Sequence, residues 1–153
     1  MAPYRRRWYR SGGKKYKWSL ERTFVSATVG STTTQAMTVI PSSNIEGVRK
    51  VKNITVNLLL QYAAGVPGVY WALYYLPSGM AAPPLNVISG STVVEPNQNC
   101  IASGVASTNV PLRIFTPLAR NLHSSDAVIL LVRAAAGVEI AVFGNVSYAI
   151  CYS

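Results

Sequence analysis

The residues of this chain best suited to chemistry crowd into its first twenty-two positions, MAPYRRRWYRSGGKKYKWSLER. Arg5, Arg6, Arg7, Arg10, Lys14, Lys15, Lys17 and Arg22 are eight of its 14 basic residues. Only Glu21 opposes them, so this arm carries 8 − 1 = +7 of a net +9. Tyr4, Trp8, Tyr9, Tyr16 and Trp18 are threaded between the charges. Cations neutralise phosphates with release of counterions, and flat rings stack on unpaired bases; together they are the means of holding a single-stranded nucleic acid. Arg5, Arg6, Arg7, Arg10, Lys14, Lys15 and Lys17 are the candidate phosphate contacts, and Trp8, Tyr9, Tyr16 and Trp18 the candidate stacking rings. A solvated tail, or a nuclear address read by a receptor, is the plainer reading of the same charges. A second basic cluster, Arg49, Lys50 and Lys52, opens a strand-like run on which Lys50 and Lys52 share a face. It is either a further nucleic-acid contact or the charge that protects a strand edge.

Other chemistry is sparse. The lone histidine, His123, sits in a polar turn, and two distant cysteines, Cys100 and Cys151, do not complete a zinc site with it. The carboxylates beyond the arm, Glu46, Glu95, Asp126 and Glu139, are scattered, with no pair placed for acid–base work. Phosphate-binding glycine loops and a GxSxG elbow are absent. The expectation is a protein that is not an enzyme and uses neither metal nor cofactor. Two cysteines in strand-like runs read as buried free thiols.

The elements behind the arm are short β-branched and aromatic runs punctuated by Gly, Pro, Ser and Asn. The pattern predicts strands over 22–29, 35–40, 48–62, 69–76, 99–103, 112–117, 127–133 and 138–152. A short run at 91–94 lies inside a long 78–97 loop expected to be exposed. In the third strand Ile54, Val56, Leu58 and Leu60 alternate with polar residues, marking one face on a core. The fourth is apolar on both faces, as suits a central strand or one capped by a neighbouring subunit. No stretch has helical periodicity. Eight antiparallel strands with long end loops predict an all-β, eight-stranded jelly-roll sandwich over 23–153 behind a basic arm at 1–22. A seven-stranded immunoglobulin-like sandwich competes, but its Cys–Trp–Cys spacing is missing.

Charged residues make up 12 % of the 153, against about 25 % in a typical soluble domain. So little charge implies a surface largely covered by other subunits, with Tyr74, Tyr75, Pro83, Pro84 and the 78–97 loop as contacts; a small all-β monomer is the plainer alternative. No apolar run follows the first arginines, which reads against a signal peptide. The apolar nineteen residues Leu58–Leu76 are broken by Gln61, Gly65, Pro67 and Gly68, the mark of a turn between strands and not of a membrane span. No membrane insertion is expected. The glycosylation triplets at Asn53 and Asn145 fall inside predicted strands and read as chance.

Three segments, in order, carry a resemblance. Tyr70–Gly79 (YWALYYLPSG) resembles the YALVYVPEG-type strand and turn of capsid proteins from circovirus-like (circular Rep-encoding) single-stranded DNA viruses. Glu95–Gly104 (EPNQNCIASG) is similar to their EPNQNVISSG segment, and Pro117–Asp126 (PLARNLHSSD) to their SRLARNLNSGD turn. Ser125 stands where that family often has glycine, and His123 where it has asparagine. The resemblance implies a capsid protein that assembles into a small icosahedral T=1 shell of about sixty identical copies. It implies an arm turned inward on a circular single-stranded DNA genome, a host receptor of unknown identity on the outer loops, and residence in the virion. The basic arm adds the host nucleus as the place of assembly. A soluble, non-virion single-strand-binding β-domain with a basic tail is the alternative, and a β-sandwich lectin with an incidental tail a third.

Overall fold

The computed structural model describes residues 17–30, 34–85, 99–135 and 137–152. Nine strands form in them: β1 (Ser19–Val29), β2 (Gln35–Ile40), β3 (Arg49–Gln61), β4 (Gly68–Leu76), β5 (Cys100–Ser107), β6 (Pro111–Thr116), β7 (Arg120–Leu122), β8 (Ala127–Ala134) and β9 (Ile140–Tyr152). One sheet has the order β1-β9-β3-β6, with β7 also on β3; the other runs β2-β8-β4-β5. Every pairing is antiparallel.

The pairing has a simple origin. The rungs β1·β9, β2·β8, β3·β6 and β4·β5 are those of one long hairpin, its first half β1–β4 and its second half β5–β9. Rolling that hairpin sends alternate rungs to opposite sheets and adds the pairs β9·β3 and β8·β4. That is the double Greek key of a jelly roll. The expected fold is therefore the observed one, with one more strand than expected. β7, three residues in what reads as a polar turn, extends the β6 side along β3, pairing Arg49↔Leu122 through Val51↔Arg120. β1 starts at Ser19, inside the stretch assigned to the arm, because Ser19 to Val29 pair continuously with Ile150 to Ile140.

The core lies between the sheets. Val25, Val29, Ile54, Val56, Leu58, Leu60, Val142, Val146 and Ile150 from one sheet meet Met37, Val39, Leu73, Val128, Leu130 and Val132 from the other. Each fully buried aliphatic side chain stabilises the fold by about 1.5–3 kcal/mol. β9 passes close to β3 at Gly144, where a Cβ would overlap the Asn57 carbonyl, so no side chain fits there.

β4 is central, and its two apolar faces are both used. Val69 and Leu73 face the core, while Tyr70, Ala72 and Tyr74 join Ile129, Leu131 and Leu85 in a second cluster on the outer side. The cap is thus supplied by the chain itself: Leu85 is buried, its N–H donates to Thr34 Oγ1 (3.0 Å), and its carbonyl accepts from Arg133 (3.1 Å). The 78–97 loop is exposed through Ala82 but returns to the sheet at Leu85; residues 86–98, with the 91–94 run, lie outside the described residues. Tyr74 is buried, which removes it from the expected subunit contacts, while Tyr75 is half-buried with its hydroxyl engaged internally. The apolar stretch Leu58–Leu76 is the end of β3, a turn and β4, and the two strands lie in different sheets.

Candidate nucleic-acid interface

Of the arm residues expected to bind, Arg5, Arg6, Arg7, Trp8, Tyr9, Arg10, Lys14, Lys15 and Tyr16 lie outside the described residues. Lys17 is exposed just before β1. Trp18 is 38 % exposed, and its ring lies under the Lys52 ammonium, 4.1 Å from nitrogen to ring centroid. The junction of arm and domain is thus tied to the second basic cluster by a cation–π contact.

That cluster is divided by a β-bulge. Asn53 has φ 53°, and the β3–β9 register shifts between Lys52 and Thr55. In an unbroken strand Lys50 and Lys52 would face the same way as Ile54 and Val56, into the core. The extra residue reverses the phase, so Arg49 and Val51 turn inward while Lys50 and Lys52 turn out. Asparagine is among the few side chains that take this left-handed conformation readily.

Arg49 is therefore no part of the exposed patch. It is 6 % exposed, and its guanidinium donates to the carbonyls of Pro41 (2.8 Å) and Asp126 (2.9 Å). It ties the end of β2 and the turn before β8 to the start of β3. Adjacent charges look alike in the sequence, and only the bulge distinguishes them.

Asp126, one of the carboxylates that looked scattered, is the other half of this junction and is 4 % exposed. One oxygen accepts from the Tyr75 hydroxyl (2.7 Å) and the His123 N–H (2.8 Å), the other from the Ser78 N–H (3.0 Å). Burial alone would raise the carboxyl pKa. The Tyr75, His123 and Ser78 hydrogen bonds, with the charge of His123, outweigh it and hold the group below its ordinary range. Burial and the same carboxylate push the Tyr75 phenol up, against the opposing charge of Arg120, whose guanidinium lies 5.2 Å from that ring. Ser125 has φ 67°, the left-handed region glycine favours, and its N–H donates to the Ser43 carbonyl (2.9 Å). His123 is exposed.

Among the described residues no three of His, Cys, Asp and Glu converge as metal ligands. Cys151 is buried and Cys100 half-buried, both free; burial pushes the Cys100 thiol up, so that thiol is not primed as a nucleophile. The groove between edge strands β1 and β2, about 400 Å³, is lined from Thr23 to Ala27 and Gln35 to Thr38 and contains no ionisable side chain. No helix among the described residues is long and apolar enough to cross a membrane.

No protein-family model matches the chain, and none of the curated proteins does. Among solved structures it is similar to a protein of the disulfide-linked pili of Bacillus endospore appendages. That match has 11 % identity and a TM-score of 0.38, and covers 91 % of this chain and 90 % of that one. It is similar to the Eiger TNF of S. frugiperda at 14 % identity and TM-score 0.37, covering 85 % and 92 %. It is also similar to the human norovirus GI.7 particle protein, at 17 % identity and TM-score 0.41, covering 85 % of this chain and 32 % of that one.

Proposed function

We propose that this chain is the shell-forming subunit of a small virion, a structural protein and not an enzyme. About sixty copies close into an icosahedral T=1 shell, and the arm holds a circular single-stranded DNA genome inside it. The observation that carries this reading is the nested-hairpin jelly roll with a basic, ring-bearing arm running directly into its edge strand β1. The resemblance of three ordered segments to circovirus-like capsid proteins points the same way. So do the large apolar side chains left on the surface, among them Ile45 (65 % exposed), Val66 (66 %) and Val110 (56 %), which imply burial against further copies.

The arm acts by charge. Seven cations per arm from about sixty arms bring roughly 400 positive charges, enough to offset several hundred phosphates through counterion release. The proposed contacts are cations on phosphates and rings on bases, which makes binding largely independent of sequence. The proposed setting is the virion, with assembly in the host nucleus and a receptor contacted by outer loops.

Protection of nucleic acid tests the packaging step. Particles purified from cells supplied with a circular single strand are expected to shield that strand from nuclease until the shell is disrupted. A strand that co-purifies yet is digested as fast as free DNA fits the alternative, a non-virion single-strand-binding domain.

A further inference from the structure

The outer face of the five-stranded sheet carries a second surface of cations and rings. Strand alternation puts Arg22 and Phe24 of β1, Lys50 and Lys52 of β3, and Arg113 and Phe115 of β6 on the side away from the core. The pairing aligns them in rows. One row crosses from Arg22 through Ser147 and Thr55 to Phe115, and the next from Phe24 through Asn145 and Asn57 to Arg113. Each row has a cation at one end and a ring at the other, about 14 Å apart at the usual strand spacing. The floor between them is polar, with the Asn57 amide donating to Asn145 (3.2 Å). Phe24 is 73 % and Phe115 53 % exposed.

No paired position on this face is acidic. Glu21 belongs to the opposite side of β1, across from buried Tyr148, Asp126 is buried, and Glu46 and Glu139 lie in loops. Charge of a single sign among exposed rings is ill suited to a second copy of the same face, since subunit contacts exclude charge from their centres. It suits a polyanion with flat faces, in which phosphates meet the cations and bases stack on the rings. The arm also joins the domain here, because Trp18 lies on Lys52 at the corner of the face.

We infer that this face is a second binding surface for single-stranded nucleic acid, continuous with the arm and built on Arg22, Lys50, Lys52, Arg113, Phe24 and Phe115. The inference rests on the genome-binding reading of the arm and assigns to the domain a share of the contacts. Its signature is the salt dependence of binding. Seven arm cations and four on the face give a slope of log K against log salt of about −8 for a single strand.

The test uses the full chain and an unstructured DNA oligonucleotide, with binding read by anisotropy across a salt series. The variant Arg22→Ser/Lys50→Ser/Lys52→Ser/Arg113→Ser is expected to reduce the slope to about −5. Phe24→Ser/Phe115→Ser leaves the charge unchanged and is expected to weaken binding at least about fivefold. Ultraviolet cross-linking of the unaltered protein is expected to attach the strand to the peptides carrying Phe24 and Phe115. Cross-links confined to the arm, or an unchanged slope in the serine variant, overturn the inference and leave the arm's role intact. Variants that bind normally but no longer self-associate overturn it in favour of a subunit contact. A full chain that binds no oligonucleotide sinks the genome-binding reading as well.

Discussion

Replacing Arg5, Arg6, Arg7, Arg10, Lys14, Lys15 and Lys17 with serine is expected to lower affinity for a DNA single strand about ten-thousand-fold near 0.15 M salt. Each phosphate contact on a single strand contributes about 0.7 to the salt slope, so losing seven removes about five powers of salt concentration. The slope should fall from about −8 to about −3, the part left to the sheet face. The same variant should purify without nucleic acid, with an absorbance spectrum typical of protein alone. Its fold should be unaffected, because every strand among the described residues begins at Ser19 or later, beyond the last substituted position. Anisotropy titration over a salt series checks the first claim, and far-ultraviolet circular dichroism the second. Nucleic acid retained at wild-type levels would mean that the arm is not what holds it.

Asp126→Ala is expected to destabilise the domain by about 2–4 kcal/mol, as when one member of a buried, charge-assisted hydrogen-bond network is removed. The carboxylate joins two segments distant in sequence: Tyr75 and Ser78 at the end of β4, and the turn between β7 and β8 that holds His123 and Asp126 itself. Without it the Tyr75 hydroxyl loses its acceptor and the Arg49 anchor sits on a loosened turn. Asp126→Asn keeps an acceptor and should cost less. The sign of the pH effect follows from the depressed carboxyl. Its contribution is complete above the unfolded-state value of about 3.9 and is lost as pH falls through the lower folded-state value. Urea unfolding as a function of pH should show a loss of stability below about pH 4 that is absent in Asp126→Ala.

Much of the fold was legible because strand patterning is local. Ile54, Val56, Leu58 and Leu60 declare their face by alternation, and Gly65 to Gly68 declare a turn. What was not legible depends on partners. β7 is three residues with no pattern of its own, made a strand only by Arg49–Val51 lying beside it. The bulge at Asn53 resembles any asparagine in a strand, yet it turns Lys50 outward and Arg49 inward. Phe24 and Val25 are adjacent and both apolar; the sequence does not tell which faces water, and pairing with β9 puts Phe24 out and Val25 in. Of the candidate binding residues beyond the arm, Lys50 and Lys52 lie on the exposed face. That Arg113 and Phe115 share that face was not legible, because they join it from β6, more than sixty residues beyond Lys50 and Lys52.

The central claim, a jelly-roll subunit that closes into a shell, is tested most directly by the mass of the assembled particle. Mass photometry of purified full-length protein, with electron micrographs of the same sample, is expected to show closed particles of roughly 1 MDa before any nucleic acid is counted. That is the mass of about sixty 16.5 kDa chains. Protein that stays monomeric at high concentration, with and without single-stranded DNA, would contradict it.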